Sequence, residues 1–295
     1  MRITMGMMAE NSLRNIEANQ NRVQNLQDQI TSGSRITKPS DDPIGAAQAL
    51  SLQESLDQST QYGRNIDQAS AWLNSTDAAL GSVTDTLHRA RELALQGANG
   101  TLTAVDRSAI QAEITQLQQH VLDLAHSKYG ASYLFSGTRS DQPGFVQALP
   151  TTTNAAAYQG NQALIQREIS PGVTMPVNVD PTTTFNSLFD GLDKLQSGLA
   201  SGDTTAVQNT LDTFDQALGS ITNARAQVGA RVNRLESLKQ RQDSVSTDLT
   251  GLLSNVKDVD MAAAITNFSM AQNVYQASLK ASAQTMQVSL LDFLH

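Results

Sequence analysis

TKPSDDPIGAAQAL, running from Thr37 to Leu50, falls between two helical patterns and decides how the chain is divided. Pro39 disfavours helical backbone at Lys38, so the incoming helix ends before that residue. Asp42 is placed to cap the next helix. A short acidic side chain accepts from the free N–H groups of a helix start, and its charge suits that pole of the dipole. Pro43 then takes the first helical position, where a missing N–H costs nothing. Spacing alone makes this an ordinary helix–turn–helix junction. Adjacent acids such as Asp41 and Asp42 can also serve as metal ligands or catalytic carboxylates, but between two prolines they are more simply a cap and its neighbour.

Outward from the junction the chain is dominated by apolar residues at alternating steps of three and four. Upstream, Leu13, Ile16, Gln20, Val23, Gln27 and Ile30 form a weak stripe that Leu26 widens. Downstream, Ile66, Ala69, Leu73, Thr76, Leu80, Val83, Leu87, Ala90 and Ala94 keep the rhythm without a slip, predicting a long helix to about Gln96. Gly97 or Gly100 is then available as a left-handed cap. A second helix from about Ala104 carries Ile110, Ile114, Leu117, Val121 and Leu124 and ends near Gly130. From Ser136 to Thr184 helical periodicity vanishes. Gly160-Asn161 is a hairpin-turn signal, and Val173, Met175, Val177 and Val179 alternate as in a strand, with Pro176 marking an edge or a break. Helix returns at Phe185, with Gly198 and Gly202 as its breakers. A stripe from Val207 to Val256 follows, with one change of phase near Leu238. After SNVKDVD, a last stripe runs through Ile265, Phe268, Gln272, Tyr275, Leu279, Ser282, Met286, Ser289 and Phe293.

These patterns predict a mainly α protein. It is an elongated antiparallel helical bundle with a small β-rich inserted outer domain, and its terminal helices order on assembly. The expected divisions are 1–40 and 257–295 as the two parts of an inner assembly domain, 41–135 and 185–256 as the halves of the bundle, and 136–184 as the outer domain. The two terminal stripes are interrupted by Gln and Ser, and each has only the other as a neighbour. Two such helices are marginal as an isolated pair, which points to segments disordered in the monomer that fold against other subunits.

Composition narrows the function classes. Charged residues make up 16% of the chain, against about 25% in ordinary soluble proteins, and Gln, Asn, Ser and Thr take their place. Such a surface suits a chain that meets many copies of itself. A net charge of -8 without a Lys/Arg cluster argues against nucleic-acid binding. No apolar run is long enough to insert into a membrane, and MRITMGMMAENSLRN lacks the features of a cleaved signal. The absence of cysteine excludes disulfides and thiol chemistry.

No catalytic pattern emerges. His120 and His126 are six apart, on different faces of a helix, whereas helical zinc ligands want three or four. KDVDM, from Lys257, lacks the Gly and distal Glu of a calcium loop. Asn74 and Asn99 stand in glycosylation-type triplets in helical or helix-end contexts. We therefore expect no enzyme, no metal and no cofactor.

Several segments carry a resemblance over nearly the full length. QITSGSRITKPSDDPIGAAQAL, ARAQVGARVNRLES and VKDVDMAAAITNFSMAQNVYQASLKASAQTMQVSLLDFL resemble the N- and C-terminal signatures of the flagellin superfamily. MRITMGMMAENSLRNI, KPS with Pro43, and NGTLTAVDRSAIQAEITQLQQHVLDLAHSKYGASYLFSGT are similar to its hook–filament junction members rather than to flagellin. The resemblance implies that Ile16, Val23, Leu26 and Ile30, with Ile265, Phe268, Tyr275, Leu279, Met286 and Phe293, form an assembly interface. Pro39, Asp41, Asp42 and Pro43 would be the inter-domain joint. It further implies an extracellular flagellar location, export without a cleaved signal peptide, and an export chaperone on the C-terminal segment in the cytoplasm. The chain would assemble as a ring of its own copies, with hook-associated protein 1 (FlgK) on the proximal side and flagellin on the distal side. A flagellin filament subunit and a cytosolic coiled-coil scaffold are the alternatives.

Overall fold

The computed structural model describes residues 5–147 and 156–292. Among these, the helices are α1 (Met5–Ser32), α2 (Pro43–Gly97), α3 (Ala104–Ala125), α4 (Pro181–Ser201), α5 (Thr204–Lys257) and α6 (Met261–Asp292). Antiparallel strand pairs separate α3 from α4 in the sequence: β1 (Lys128–Tyr129) with β2 (Ser132–Tyr133), β3 (Phe145–Gln147) with β4 (Ala156–Tyr158), and β5 (Gln166–Ser170) with β6 (Val173–Pro176). This is the mainly helical architecture with a small β insert that the periodicity predicts. The chain forms two compact units, one from the sequence up to Gln58 together with that from Val245 onward, the other from Ser59–Ser244.

In the unit Ser59–Ser244 the apolar stripes form the core. Every member of the α2 stripe from Ile66 to Ala94 is buried, including Thr76, whose hydroxyl donates to the Trp72 carbonyl one turn back at 2.9 Å. Ile110, Ile114 and Val121 of α3, Leu188, Leu192 and Leu195 of α4, and Phe214, Ile221, Val228 and Leu235 of α5 join the same cluster. Gln242, a polar residue in an apolar register, donates to the Ser59 carbonyl at 3.0 Å. Three ion pairs link α2 to α5: Asp67 with Lys239, Asp77 with Arg225, and Arg91 with Asp215. Partners descend along α5 as they ascend along α2, so the two helices run antiparallel. Phe145 of β3 is fully buried and packs on Tyr158, Phe185 and Phe189 with ring centroids 5.0, 5.3 and 5.4 Å away, seating the strand pair on α4.

The punctuation differs from expectation in particular places. Neither Gly97 nor Gly100 takes the left-handed conformation. Gly97 lies instead close beneath Leu199, whose side-chain end, 2.8 Å from a Cβ placed there, would have to shift to admit one. Gly198 does not break α4; Gly202, at φ 72°, caps it. α4 starts at Pro181, earlier than Phe185, because Asp180 caps it by accepting from Thr182 N–H at 2.9 Å. Gly160-Asn161 is not a hairpin turn. Asn161 clamps two segments, its side-chain oxygen accepting from Thr138 N–H at 2.8 Å and its amide donating to the Thr138 hydroxyl at 2.7 Å. The reversal lies instead between β5 and β6, where Gly172 adopts φ 69°. Pro176 ends β6, opposite Gln166.

Candidate assembly interface and its joint

The unit drawn from the two ends of the sequence is built on the packing of α1 against α6. On α1 the half-buried positions recur as Ser12, Ile16, Asn19, Val23, Leu26 and Ile30, the four-three rhythm of a seam between two helices. Leu13, Gln20 and Gln27 lie outside it and are exposed. On α6 the covered positions are Ala264, Phe268, Ala271, Tyr275, Ser278 and Ser282. Small residues thus alternate with aromatic ones, which lets the helices approach closely between the rings. Ile16, Val23, Leu26, Ile30, Phe268 and Tyr275 are half-buried on these two seams. Ile265 and Leu279 are not: they remain 51% and 41% exposed. The side chain of Met286 and the whole of Phe293 lie outside the described residues.

Apolar surface is therefore left on both flanks of the α6 seam. Met261, Ile265 and Leu279 share one flank, and Met270 and Val274 the other, all substantially exposed. Periodicity could not separate the covered residues from these, because Ile265 and Leu279 sit one position beyond Ala264 and Ser278 and fit the same spacing. The signal was present in the small-residue series Ala264, Ala271 and Ser278, repeating every seven residues.

α1 stops at Ser32 because Gly33 turns into the left-handed region at φ 68°, six residues before the prolines. Beyond it two connecting segments lie side by side. Arg35 N–H donates to the Lys257 carbonyl at 2.7 Å, and Val259 N–H donates to the Gly33 carbonyl at 3.0 Å, framing an antiparallel bridge between Ser34 and Asp258. The buried Ser34 hydroxyl adds a bond to the Ile36 carbonyl at 2.9 Å. Arg35 donates to the Val256 carbonyl at 3.0 Å and pairs with Asp42 at 3.1 Å. Since α1 arrives at this bridge and α6 leaves from it, the two helices run antiparallel.

Asp41 and Asp42 divide the work of the joint. Asp41 Oδ2 accepts from the Thr37 hydroxyl at 2.8 Å and from Lys38 N–H at 2.9 Å, closing the turn around Pro39. The Thr37 hydroxyl first, then the Lys38 amide, hold its carboxyl below the usual range. Asp42 is the cap: its Oδ1 accepts from Gly45 N–H at 2.9 Å, and Pro43 is the first residue of α2. The Gly45 amide and then Arg35 hold its carboxyl low against the opposing cost of desolvation. Gly45 is buried beneath this carboxylate, and a Cβ there would come within 2.5 Å of Asp42 Oδ2 and 2.8 Å of Ile36 Cδ1. On α6, Asp260 accepts from the N–H groups of Ala262 and Ala263 at 2.9 and 3.1 Å. Sequence reading missed Ser34, Arg35 and Asp260, although an Asp directly before MAAA is a cap signal.

The carboxylates of the joint are engaged by backbone amides, the Thr37 hydroxyl and Arg35, and among the described residues no group of His, Asp and Glu is placed to hold a metal ion. No helix among them is long and apolar enough to cross a membrane.

The joint and the paired first and last helices beyond it are thus built from the two ends of the sequence. The chain matches the family models for the bacterial flagellin N-terminal helical region over residues 3–140 and C-terminal helical region over residues 211–294. It is 26% identical over 318 residues to flagellar hook-associated protein 3 of Salmonella typhimurium, covering 98% of each chain. Crystal structures of FlgL from Bacillus cereus and Xanthomonas campestris share the fold. Their TM-scores are 0.60 and 0.62 and their identities 24% and 18%, each covering 69% of this chain and 99% of theirs. The chain belongs to the flagellin superfamily, in its hook-associated protein 3 (FlgL) branch.

Proposed function

We propose that the chain is a structural subunit of the bacterial flagellum that forms the ring joining hook-associated protein 1 (FlgK) to the flagellin filament. The observation that carries this reading is the α1–α6 pair. Its seam covers Phe268 and Tyr275 but leaves Met261, Ile265, Met270, Val274 and Leu279 uncovered on two flanks. Full burial of an aliphatic side chain of this size is favourable by roughly 1.5–3 kcal/mol. Five of them on one helix give neighbouring subunits apolar surface whose removal from water favours association. Two flanks also match the geometry of a closed ring, in which each subunit has a neighbour on either side. Export without a cleaved signal and chaperone capture of α6 before export accompany this reading.

The test is to mix the purified protein with hook fragments bearing FlgK, without flagellin, and to count bound subunits by electron microscopy and mass. A single saturating layer that then accepts flagellin is the expected result. Open-ended growth would make the chain a filament subunit, and no binding would return it to the scaffold reading.

A further inference from the structure

A short connection of sequence ANGTLT, residues 98–103, joins α2 to α3. Asn99 is the only asparagine of the chain that is followed by glycine. Such a pair carries its own chemistry. The backbone nitrogen after an asparagine can attack the side-chain carbonyl carbon, and glycine, with no Cβ, crowds that nitrogen least.

The fold leaves this pair open to reaction. Asn99 and Gly100 are exposed and lie outside helix and strand. The Gly100 N–H donates to no group among the described residues. Inside a helix the corresponding amide is held by the carbonyl four residues back. Asn74-Ser75 and Asn186-Ser187 are placed in that way, within α2 and α4. Asn99 Oδ1 accepts from Thr101 N–H at 3.2 Å and from the Thr101 hydroxyl at 2.9 Å. The bond from the N–H closes a ring that contains both reacting atoms, Asn99 Cγ and Gly100 N, so the side chain is folded back over that nitrogen. Both donors also face the oxygen on which negative charge develops during attack, the arrangement that stabilises tetrahedral intermediates of acyl transfer.

We infer that Asn99 is a site of spontaneous deamidation, promoted by this turn. Gly100 N gives up its proton to hydroxide and forms a bond to Asn99 Cγ. The Cγ–Nδ2 bond breaks, and the side-chain nitrogen takes a proton from water and leaves as ammonia. Water then opens the cyclic imide. Opening at Cγ's own bond to nitrogen gives aspartate, and opening at the backbone carbonyl gives isoaspartate. Either product sets a carboxylate beside the C-terminal pole of α2, where the helix dipole opposes it. Isoaspartate also adds a methylene to the backbone at Asn99. Its N–H donates to the Gln96 carbonyl at 3.1 Å and its carbonyl accepts from Leu102 N–H at 3.3 Å, so the two bonds that shape the connection no longer fit together.

The full chain is incubated at neutral and at mildly alkaline pH, digested in acid to halt the reaction, and mapped by mass spectrometry. An isoaspartyl methyltransferase assay measures isoaspartate. The expected result is the mass gain of an amide-to-acid conversion at Asn99, faster at the higher pH, with Asn74 and Asn186 unmodified. Gly100→Ala should slow the reaction by about tenfold or more, because a Cβ crowds the attacking nitrogen. A Cβ at Gly100 meets nothing within 4 Å, and Gly100 is not among the positive-φ residues, so this variant keeps the fold. If its circular dichroism changes, Asn99→Gln, whose longer side chain disfavours ring closure, replaces it with the same expectation. Thr101→Val, which removes one donor to Oδ1, should slow the reaction several-fold. The inference is overturned by no acid or isoaspartate at Asn99, by equal rates at Asn99 and the helical asparagines, by a wild-type rate in Gly100→Ala, or by an unchanged or faster rate in Thr101→Val.

Discussion

At the scale of single residues, the joint depends on where two carboxylates point. Asp41 and Asp42 are adjacent, but one closes the turn at Pro39 and the other caps α2. Both have depressed pKa values, so the linkage has a definite sign. The stability they contribute is complete above their unfolded value, near 4, and is lost as pH falls through their lower folded values. Acidification below about pH 4 should therefore loosen the bridge between Ser34 and Asp258. Hydrogen exchange at Arg35 and Val259 between pH 3 and pH 6 checks this; protection that is flat over that range would assign the bridge to other forces. Gly45 gives a second test. Glycine to alanine within a helix normally stabilises, but here the new methyl meets Asp42 and Ile36. Gly45→Ala should lower the melting temperature by a few degrees. An unchanged or higher value would mean that the cap moves aside freely.

At the scale of elements, packing and pairing contribute differently to the contacts that α5 makes with α2 and α4. The three ion pairs are well formed but largely exposed. Exposed pairs contribute little stability, so Asp77→Asn should cost less than about 1 kcal/mol in chemical denaturation. Gly191 stands in contrast. A Cβ there would come within 2.7 and 2.9 Å of two carbons of the fully buried Phe214 ring. Gly191→Ala should cost about 1–3 kcal/mol despite its better helix propensity, because a packed ring must shift. If the two costs came out reversed, charge between α2 and α5 would outweigh ring packing between α4 and α5 in holding this unit together. The same distinction explains what was legible in the sequence. The stripe from Ile66 to Ala94 reads correctly throughout because one face of α2 is wholly buried, and burial is what periodicity records. The strands read poorly because they are two to five residues long, and their turns depend on distant partners such as Asn161 with Thr138. Ile66 could be named from spacing, whereas the clamp by Asn161 could not.

At the scale of the whole molecule, the residues that pair α1 with α6 are separate from the apolar residues left exposed beside them, so folding and the proposed assembly can be separated by experiment. Phe268 and Tyr275 lie on the seam, while Ile265 and Leu279 lie beside it. From sequence all four fall on one stripe, since a heptad pattern reports an apolar face without reporting which part of it the chain covers by itself. We predict that Phe268→Asp with Tyr275→Asp unpairs α1 from α6, lowers helix content, and abolishes incorporation on FlgK-bearing hook fragments. Ile265→Asp with Leu279→Asp should retain wild-type circular dichroism and still fail to incorporate. In both variants the unit Ser59–Ser244 should melt as in the wild type, because its core includes none of the four positions. The flank variant is the decisive one. Each of these half-exposed side chains would lose roughly 0.7–1.5 kcal/mol of further burial in the ring, so for the pair incorporation should fall by about tenfold or more. If it incorporates normally while the seam variant does not, assembly requires only that α1 and α6 pair, and the exposed apolar flanks of α6 have no neighbour in the ring.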